Sequence, residues 1–529
     1  MHSPQHVPSS KPEPTEADER PAVREVFGDA LWTGCDDGLA RLARELSPSE
    51  LGSFAREQGG PLPAGTAEQV LEAAIAQLGR REVPEIGMGE RAALQLVNDV
   101  LARYGLDLTH PASIAHLQPP SLALATAADT LASVVNASVD TFDSGPSAVA
   151  IERWVITALA EMAGFGSKAD GVMTPGGSVS NLLGLLLARD SAAARQGVDA
   201  RRAGVASIPD AVVLCSELAH FSVHRACSAL GLGEDAVVTV PCDDARRMDA
   251  GALQQTMRVI ERRSTPVAIV ATAGTTDFGS VDPLPELSAI ARRHGVWLHV
   301  DAAYGFGALF SNRLASRVQG LALADSVTLD LHKLGWQPAA ASVLLVAEPR
   351  SFAAVERHVD YLNPRDDAEA GYVGLLGRSL QTTRRADAVK VAATLLGFGR
   401  ARLGRMVDAC HDLARHAQAR IEADDELELV AGAELTTVVF RLRPPSLEDR
   451  PWTPADLDGL HAEVRRRLLE SGDAVLGRTT VNDTHGEARV CLKLTLLNPR
   501  TRPSDLDQLL DRVLDTARAC VASRSEPRR

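Results

Sequence analysis

One glycine-rich segment has the form of a phosphate-binding site. The residues TPGGSVSN at 174–181 place Gly177 and Ser178 directly before an apolar, helix-like run. Glycine lets the backbone approach a ligand closely, and a helix N-terminus offers free N–H groups and a positive dipole end to an anion. A plain glycine-rich turn with a serine cap explains the same letters, because short glycine motifs are weakly specific.

An aspartate and a lysine each follow an apolar, strand-like run. Asp301 lies in HVDAAYGFG at 299–307, where a carboxylate is costly without a partner; a ring nitrogen that it keeps protonated would be one. Lys333 lies in SVTLDLHKLGWQ at 326–337, and a lysine whose site lowers its pKa can form a Schiff base with a carbonyl. An aspartate that caps the next turn and a solvated lysine are the alternatives.

A fourth segment adds a histidine after another strand-like run. His220 opens the helix-like part of SELAHFSVHRACSALGLG at 216–233, where a neutral imidazole could stack on a flat aromatic ring. A surface or capping histidine is the alternative. Taken together, the phosphate cradle, the stacking histidine, the aspartate for a ring nitrogen and the Schiff-base lysine are the parts that a pyridoxal 5'-phosphate (PLP) site needs.

The elements that must position these residues alternate between strands and helices. Short β-branched runs occur at 211–215, 237–240, 267–272, 296–300, 326–330 and 342–347. Helix-like stretches such as 284–295 separate the early ones. This alternation predicts an α/β fold with a mostly parallel central sheet covered by helices on both faces. Ligands of such sheets bind beyond the carboxyl ends of the strands, which is where the four segments lie.

The flanking regions differ in character and suggest a domain plan. A length of 529 residues is too great for one core and suits several packed domains. Thr66 and Gln69 have capping-box spacing, and a capped terminal helix is predicted from Ser504. The predicted divisions are a disordered tail, an N-terminal helical segment, a PLP-binding large domain and a small α+β C-terminal domain, at 1–22, 23–165, 166–400 and 401–529.

Composition excludes several functional classes. The net charge of −14, from 55 basic and 69 acidic residues, argues against nucleic acid or an anionic membrane as the main partner. The seven cysteines are scattered without a C-x-x-C pair, so we expect neither a metal cluster nor disulfides. The first residues contain no apolar signal core, and we find no apolar run of the roughly 18 residues that a membrane span needs. A cytoplasmic protein is predicted.

Longer motifs around these residues resemble a known family. The markers are HVDAAYGFG, the HK of LDLHKLGW, SELAHFSVHRA, and ATAGTTDFGSVDPL at 271–284. They resemble the group II PLP-dependent decarboxylases of fold type I, the aspartate-aminotransferase fold. That family includes aromatic-amino-acid, glutamate, cysteine-sulfinate and diaminobutyrate decarboxylases. The resemblance covers residues 75–515, nearly everything except the N-terminal tail.

The resemblance implies roles for individual residues. Lys333 would hold the cofactor covalently, Asp301 would pair with the pyridine nitrogen, and Ala303 would lie under the ring. His220 would stack on the ring and is a candidate in proton transfer. The remaining cofactor contacts would come from Gly177, Ser178, Thr276 and His332. An amino-acid decarboxylase that is a homodimer, with its active site at the subunit interface, is implied.

A loop late in the large domain resembles the mobile loop that closes over the site in this family. Its LNP and GRSLQTTRR, within 361–390, look closest to diaminobutyrate and siderophore-type lysine decarboxylases. Aromatic and glutamate enzymes have a tyrosine here as the acid for Cα, whereas Leu375 occupies that place in this chain. Tyr372 could substitute, and His220 is the other candidate. This departure leaves a PLP oxidase or a carbon–carbon lyase as alternatives.

An N-terminal stretch resembles the part of the family that lines the substrate pocket, some of it across the dimer. In this stretch, 115–152, Asp140 falls where the aromatic and glutamate enzymes have an apolar or aromatic side chain, and Gln118 lies near the expected substrate. A buried carboxylate needs a cationic partner, so a basic diamino acid is predicted: 2,4-diaminobutyrate, lysine or ornithine. A solvated Asp140, with glutamate or an aromatic amino acid as substrate, is the alternative.

Overall fold

The structure is a computed structural model that describes residues 59–79, 82–445, 451–483 and 486–525. The predicted tail at 1–22 lies outside the described residues. Two contact units are present among them. The smaller comprises residues 75–102, which contain the end of one helix and most of a second. The larger comprises 59–74 together with the described residues from 103 onward, and it contains both β-sheets.

Helices come first in the described chain, strands and helices alternate through its middle, and both occur again toward its end. The helices are α1 (Ala67–Leu78), α2 (Glu90–Tyr104), α3 (Ala123–Val135), α4 (Pro146–Met162), α5 (Gly177–Arg195), α6 (Ala200–Ala203), α7 (Ser222–Ala229), α8 (Ala250–Ile260), α9 (Leu284–His294), α10 (Arg365–Glu369), α11 (Ala388–Glu422), α12 (Pro454–Glu470) and α13 (Pro503–Ser525). The strands are β1 (Asp170–Thr174), β2 (Ala211–Ser216), β3 (Val237–Val240), β4 (Thr265–Thr272), β5 (Trp297–Asp301), β6 (Ser326–Asp330), β7 (Ser342–Val346), β8 (Leu427–Ala431), β9 (Thr437–Leu442), β10 (Gly477–Asn482) and β11 (Ala488–Thr495).

The large sheet confirms the predicted mostly parallel arrangement. Its seven strands lie in the order β1-β7-β6-β5-β4-β2-β3. Strands β2 to β6 are paired in parallel, and β7 is antiparallel to both of its neighbours. All six predicted strands are present within a few residues of their expected bounds. Strand β1 was not predicted; its five residues include a glycine and an aspartate, which are rare in strands.

Helix α5 packs on the centre of this sheet because of its composition. Ten of its residues are buried, including the leucines at 183, 185, 186 and 187, which point in different directions around the helix axis. A helix that is apolar on nearly every side must be enclosed rather than lie at a surface. The start of α5 is thereby held at the carboxyl edge of the sheet, directly after β1.

A second sheet forms the C-terminal part of the chain. Its four strands are all antiparallel and lie in the order β10-β11-β9-β8. The sheet shares a hydrophobic core with α12, α13 and the later part of α11. Helix α11 is interrupted at Gly399, where φ is 62° and ψ is 167°, a conformation open essentially only to glycine. This break lies beside the predicted domain border at 400.

Local signals near both ends of the chain behave as predicted. The capping box is confirmed: Gln69 N donates to Thr66 Oγ1 at 3.3 Å, and Thr66 N donates to Gln69 Oε1 at 2.9 Å. The predicted terminal helix begins at Pro503, one residue before Ser504. Among the helices that the structure describes, none is long and apolar enough to cross a membrane.

Candidate active site

A cavity of about 370 Å³ lies at the carboxyl ends of β1, β4, β5 and β6. All eight residues predicted to bind the cofactor line it: Gly177, Ser178, His220, Thr276, Asp301, Ala303, His332 and Lys333. The sheet topology explains their convergence, since strands that run in the same direction end at one edge. The structure thus brings together residues that are up to 156 positions apart in the chain, from Gly177 to Lys333.

The anion-binding end of the cavity is the N-terminus of α5. The helix begins at Gly177, and the first N–H groups of any helix lack an acceptor within it. A Cβ atom on Gly177 would lie 2.9 Å from both carboxylate oxygens of Asp330, so only glycine fits there. Gly177 and Ser178 can therefore offer backbone donors to a phosphate.

Lys333 carries its amine into the same cavity beside an acidic residue. Its Nζ lies 3.1 Å from Oδ2 of Asp330, which is 7% exposed. Ser342 donates to the other oxygen of Asp330 at 2.6 Å, and His332 Nε2 lies 3.6 Å from Oδ2. Burial lowers the pKa of His332. Asp330 therefore holds the lysine amine in place through a charge-assisted contact.

Asp301 ends β5 with both carboxylate oxygens in hydrogen bonds. Asn181 Nδ2 donates to Oδ2 at 2.7 Å, and the backbone N–H of Ala303 donates to Oδ1 at 3.0 Å. Asp301 is 6% exposed. A carboxylate has about four acceptor positions, so this arrangement fixes its orientation and leaves acceptor capacity for a ligand.

His220 lines the cavity from the segment just before α7. Its Nδ1 is 2.9 Å from Ser222 Oγ and accepts from Ser222 N at 3.3 Å. Burial is the largest cause of a lowered pKa at His220, although Asp301 acts in the opposite direction. The ring is therefore neutral at neutral pH, as a side chain that stacks on an aromatic ring requires.

Thr276 is held in the cavity by a compact loop after β4. Asp282 closes this loop by accepting from Thr272 N and Met248 N, each at 2.7 Å. Burial raises the pKa of Asp282 to about 6. Inside the loop, Thr275 and Ser280 share a hydroxyl contact of 2.7 Å. The marker ATAGTTDFGSVDPL is thus a folded unit whose polar residues position Thr276.

Three predicted site residues lie outside this cavity. Asp140 and Tyr372 line a separate cavity of about 230 Å³ beside the loop at 361–385. Asp140 is 7% exposed and accepts from the hydroxyls of Ser138 and Ser144. Gln118 is exposed in an irregular segment before α3. Their roles in catalysis or substrate binding stay predictions.

The two residues around the family's loop tyrosine have contrasting environments. Leu375 is 7% exposed in a small apolar cluster, and its N–H donates to Val139 O at 2.9 Å. Tyr372 is 57% exposed, and its ring packs edge-on against Phe142 with centroids 5.5 Å apart. Leu375 therefore anchors the loop, whereas more than half of Tyr372 is exposed to solvent.

The residues present fit PLP. A helix N-terminus matches its phosphate, the buried carboxylate of Asp301 matches its ring nitrogen, and the amine of Lys333 matches its aldehyde. Gly177, where a Cβ atom would be blocked, lies at the phosphate end. Among the described residues, no group of three or more His, Cys, Asp or Glu could hold a metal ion.

Asn181 and Asp330, two of the polar residues that line the cavity, were missed by the sequence analysis. Asn181 lines the cavity within the apolar run of α5, and Asp330 lines it at the end of β6. Each breaks an apolar pattern at a position that the sheet buries, which is the signal that could have revealed it. Asp330 stands three residues before Lys333 in the same motif.

Comparisons with known proteins agree with this geometry. The family described as "Pyridoxal-dependent decarboxylase conserved domain" matches residues 77–443. An L-2,4-diaminobutyrate decarboxylase of Rhizobium meliloti (strain 1021) is 39% identical over 469 residues, 88% of this chain and 89% of the relative. The enzyme of that name from Acinetobacter baumannii is 35% identical over 442 residues, 82% and 84% of the two chains.

A solved structure shares the fold along nearly the whole chain. It is the glutamate decarboxylase domain of diaminobutyrate-pyruvate transaminase and L-2,4-diaminobutyrate decarboxylase from Vibrio parahaemolyticus, with a TM-score of 0.80 and 30% identity. The match covers 92% of this chain and 98% of that one. The chain therefore belongs to the pyridoxal-dependent decarboxylase family. It is a PLP-dependent carboxy-lyase of fold type I.

Proposed function

We propose that this enzyme decarboxylates a basic diamino acid to the corresponding diamine and CO2, with 2,4-diaminobutyrate ahead of lysine and ornithine. The observation that carries the proposal is the pair of relatives at 39% and 35% identity, both named L-2,4-diaminobutyrate decarboxylase. Their similarity extends over more than four fifths of the chain, a share too large to leave out the region at 175–333 that lines the cavity.

The cavity residues divide the work of this reaction. PLP, when bound, supplies an electron sink for the negative charge left at Cα as CO2 departs. Lys333 would hold the cofactor covalently, and Asp301 would hold a proton at its ring nitrogen. His220 would cover one ring face and Ala303 the other. Gly177 and Ser178 would bind the phosphate at the start of α5.

Further residues border the cofactor or could return a proton to Cα. Thr276 and His332 border the cofactor within the same cavity. His220 and Tyr372 are the two candidates for returning a proton to Cα. His220 is supported by its place in the cavity, and Tyr372 by its exposure on a loop that can rearrange.

We assign the substrate's distal ammonium to Asp140, and Gln118 stays a predicted substrate contact. The carboxylate of Asp140 is buried, and hydroxyls are its hydrogen-bond donors in the described residues. Two hydroxyls use only part of its acceptor capacity, so an ammonium can still bind. The same charge would repel an acidic substrate.

We propose a homodimer with the active site at the subunit interface, as the family resemblance implies. Asp140 and Lys333 line different cavities of one chain, which suits a site completed by a second protomer. We place the enzyme in the cytoplasm, because the six cysteines among the described residues are all free, as a reducing compartment favours.

A substrate panel tests this proposal. Wild type, Asp140→Asn and the control Asp143→Asn are each given diamino, acidic, aromatic and neutral amino acids, and CO2, aldehyde and peroxide are measured. Asp143 is an exposed neighbour with the same charge. Asp140→Asn removes a charge-assisted contact of roughly 1.5–3 kcal/mol, so its kcat/KM for diamino acids should fall by about 10–100-fold. Asp143→Asn should show no such fall. A wild type that prefers glutamate or tyrosine, or that releases peroxide, contradicts the proposal.

A further inference from the structure

A continuous run of buried polar side chains connects Asp301 to the interior of the large sheet. Trp297 Nε1 lies 2.8 Å from Ser326 Oγ, and Ser326 Oγ lies 2.7 Å from His299 Nδ1. His299 Nε2 lies 3.0 Å from Asn181 Oδ1, and Asn181 Nδ2 lies 2.7 Å from Asp301 Oδ2. Ser326 and His299 are 0% exposed and Asn181 is 1% exposed, so water cannot replace a lost partner.

The two ends of this run fix the direction of every hydrogen bond. The indole N–H of Trp297 can only donate, so Ser326 accepts it and gives its own hydrogen to His299 Nδ1. A carboxylate can only accept, so the amide nitrogen of Asn181 faces Asp301 and its oxygen faces His299. His299 must then donate from Nε2. The ring is therefore the neutral Nε2–H tautomer, and all the donors point toward Asp301.

A branch of the same run reaches His220. The second amide hydrogen of Asn181 goes to Ser222 Oγ at 2.9 Å. Since the backbone N–H of Ser222 donates to His220 Nδ1, that nitrogen is an acceptor and also receives the hydroxyl hydrogen of Ser222. The neutral His220 ring consequently carries its hydrogen on Nε2. One asparagine thus links the carboxylate and the histidine of the cavity.

Helix α5 is shaped to receive the His299 ring. A Cβ atom on Gly184 would lie 2.6 Å from His299 Cε1 and 2.7 Å from Nδ1. Gly184 follows Asn181 by three residues and so lies on the same helix face. Glycine inside a helix is unfavourable relative to alanine, so close packing of the ring explains its presence. Burial lowers the pKa of His299 to about 4, which keeps the ring neutral.

We propose that Asn181 and His299 are positioning residues: through this directed chain they hold Asp301 as an oriented acceptor for a basic ring nitrogen and hold His220 in its Nε2–H form. The proposal rests on the proposed role of Asp301 toward PLP. It assigns the two residues no contact with the reacting atoms. Their effect reaches the chemistry through the orientation of Asp301 and the tautomer of His220.

The first test is made on the wild-type holoenzyme. Neutron diffraction from deuterated crystals locates each exchangeable hydrogen directly. We expect deuterium on Nε2 of both His299 and His220, and the ND2 group of Asn181 turned toward Asp301. Deuterium on Nδ1 of His299, or an Asn181 oxygen facing Asp301, overturns the proposal without any variant.

The second test uses Asn181→Leu and His299→Leu, loaded with PLP labelled with ¹⁵N in its ring. Loss of the chain should lower the protonated fraction of the ring nitrogen, seen in its ¹⁵N shift, and lower kcat by about 10²-fold with little change in KM. The matched control is Thr328→Val. Thr328 lies two residues from Ser326 on β6, and its hydroxyl is a second, longer partner of His299 Nε2 at 3.4 Å. Because Asn181 Oδ1 at 3.0 Å remains the main acceptor, this variant should match wild type.

Gly184→Ala provides a further test in case Asn181→Leu or His299→Leu does not fold. It keeps every polar group but pushes the His299 ring away, and it should reproduce the ¹⁵N change and the loss of kcat. Borohydride labelling separates the two levels of the argument. A wild type without label on Lys333 refutes the proposed function, whereas a labelled wild type whose folded variants keep its ¹⁵N shift and kcat refutes the positioning role alone.

Discussion

At Asp301, negative charge is the property that the chemistry uses. Asp301→Asn keeps the shape and the hydrogen bond from Ala303 but removes that charge and the oxygen that accepts from Asn181 Nδ2. Since the charge matters most as CO2 departs, kcat should fall by about 10²–10³ while KM changes little. Steady-state kinetics of CO2 release measure the split, and gel filtration checks that the variant remains folded. Turnover within a few-fold of wild type would remove Asp301 from its assigned role.

Linear motifs explain why so much of the cavity could be predicted from sequence. Asp301 ends a strand, and His332 and Lys333 follow one within a few residues, so their order in the chain predicts where they lie. Asn181 and His299 could not be found in this way, because their contact joins positions 118 residues apart across a helix and a strand. Their polar side chains also stand in runs that pattern analysis assigns to the core. Only the packed sheet shows that they meet.

At the scale of elements, a buried ion pair forms between Glu152 of α4 and Arg384, which lies just before α11. Both residues also hydrogen-bond to the backbone of β1. Arg384 Nη1 donates to both carboxylate oxygens of Glu152, at 2.9 and 3.1 Å, and to Met173 O at 3.2 Å. Glu152 also accepts from Met173 N at 3.1 Å. The two residues of the pair, Glu152 and Arg384, are 1% and 5% exposed. The unpredicted strand β1 therefore depends on a pair whose members are 232 residues apart, which no local pattern reveals.

Removing Glu152 and removing Arg384 should lower the free energy of unfolding by different amounts. Burial raises the pKa of Glu152, so a carboxyl left alone by Arg384→Leu can take up a proton and lose its charge. The guanidinium left alone by Glu152→Leu cannot lose its proton. Glu152→Leu should therefore cost about 3–5 kcal/mol of unfolding free energy, and Arg384→Leu less. Urea denaturation measures both, and equal or reversed losses contradict the argument.

The loop at 361–385 is divided into an exposed part and an anchored part. Residues 365–373 are almost all exposed, whereas Leu375 N and Leu376 N donate to Val139 O and Asp140 O. Limited proteolysis of the free enzyme should therefore cut within 361–373 before 374–378, and a substrate analogue should slow the cut. Mass spectrometry of the fragments identifies the sites. First cleavage in the anchored part, or equal rates with and without the analogue, would show that this loop is not a lid.

At the scale of the whole molecule, the predicted fold class is confirmed where hydrophobic periodicity is strong, whereas contacts between distant residues could not be predicted. The parallel strands follow from β-branched runs, and the small antiparallel sheet follows from the change of pattern after residue 400. The break at Gly399 depends on one residue inside a helical pattern of 35 residues, so sequence periodicity alone would predict one uninterrupted helix. The order of the strands likewise depends on crossovers that a single sequence does not encode locally.

Buried titratable groups in the large sheet and in the C-terminal part of the chain make the free energy of unfolding depend on pH. Burial lowers the pKa values of His299 in the large sheet and His461 in α12 to about 4, and raises the pKa of Asp282 to about 6. Each histidine stays neutral in the folded chain but binds a proton when unfolded below about pH 6.5, so it withdraws stability as pH falls toward 4. Asp282 has the opposite sign: its contribution is full below the unfolded pKa and is lost as pH rises through 6. Among these three groups two losses outweigh one gain, so together they should weaken the enzyme on acidification.

His461→Gln isolates one of these contributions. His461 Nε2 accepts from Leu442 N at 2.8 Å, and a glutamine oxygen can replace that acceptor without titrating. Each histidine withdraws up to about 3 kcal/mol between pH 6.5 and 4, with a slope of at most about 1.4 kcal/mol per pH unit. Urea unfolding at a series of pH values should give His461→Gln the shallower slope by nearly this amount, while His358→Gln, at an exposed histidine, keeps the wild-type slope. If His461→Gln and wild type lose stability in parallel, the buried ring is not the group that acid charges.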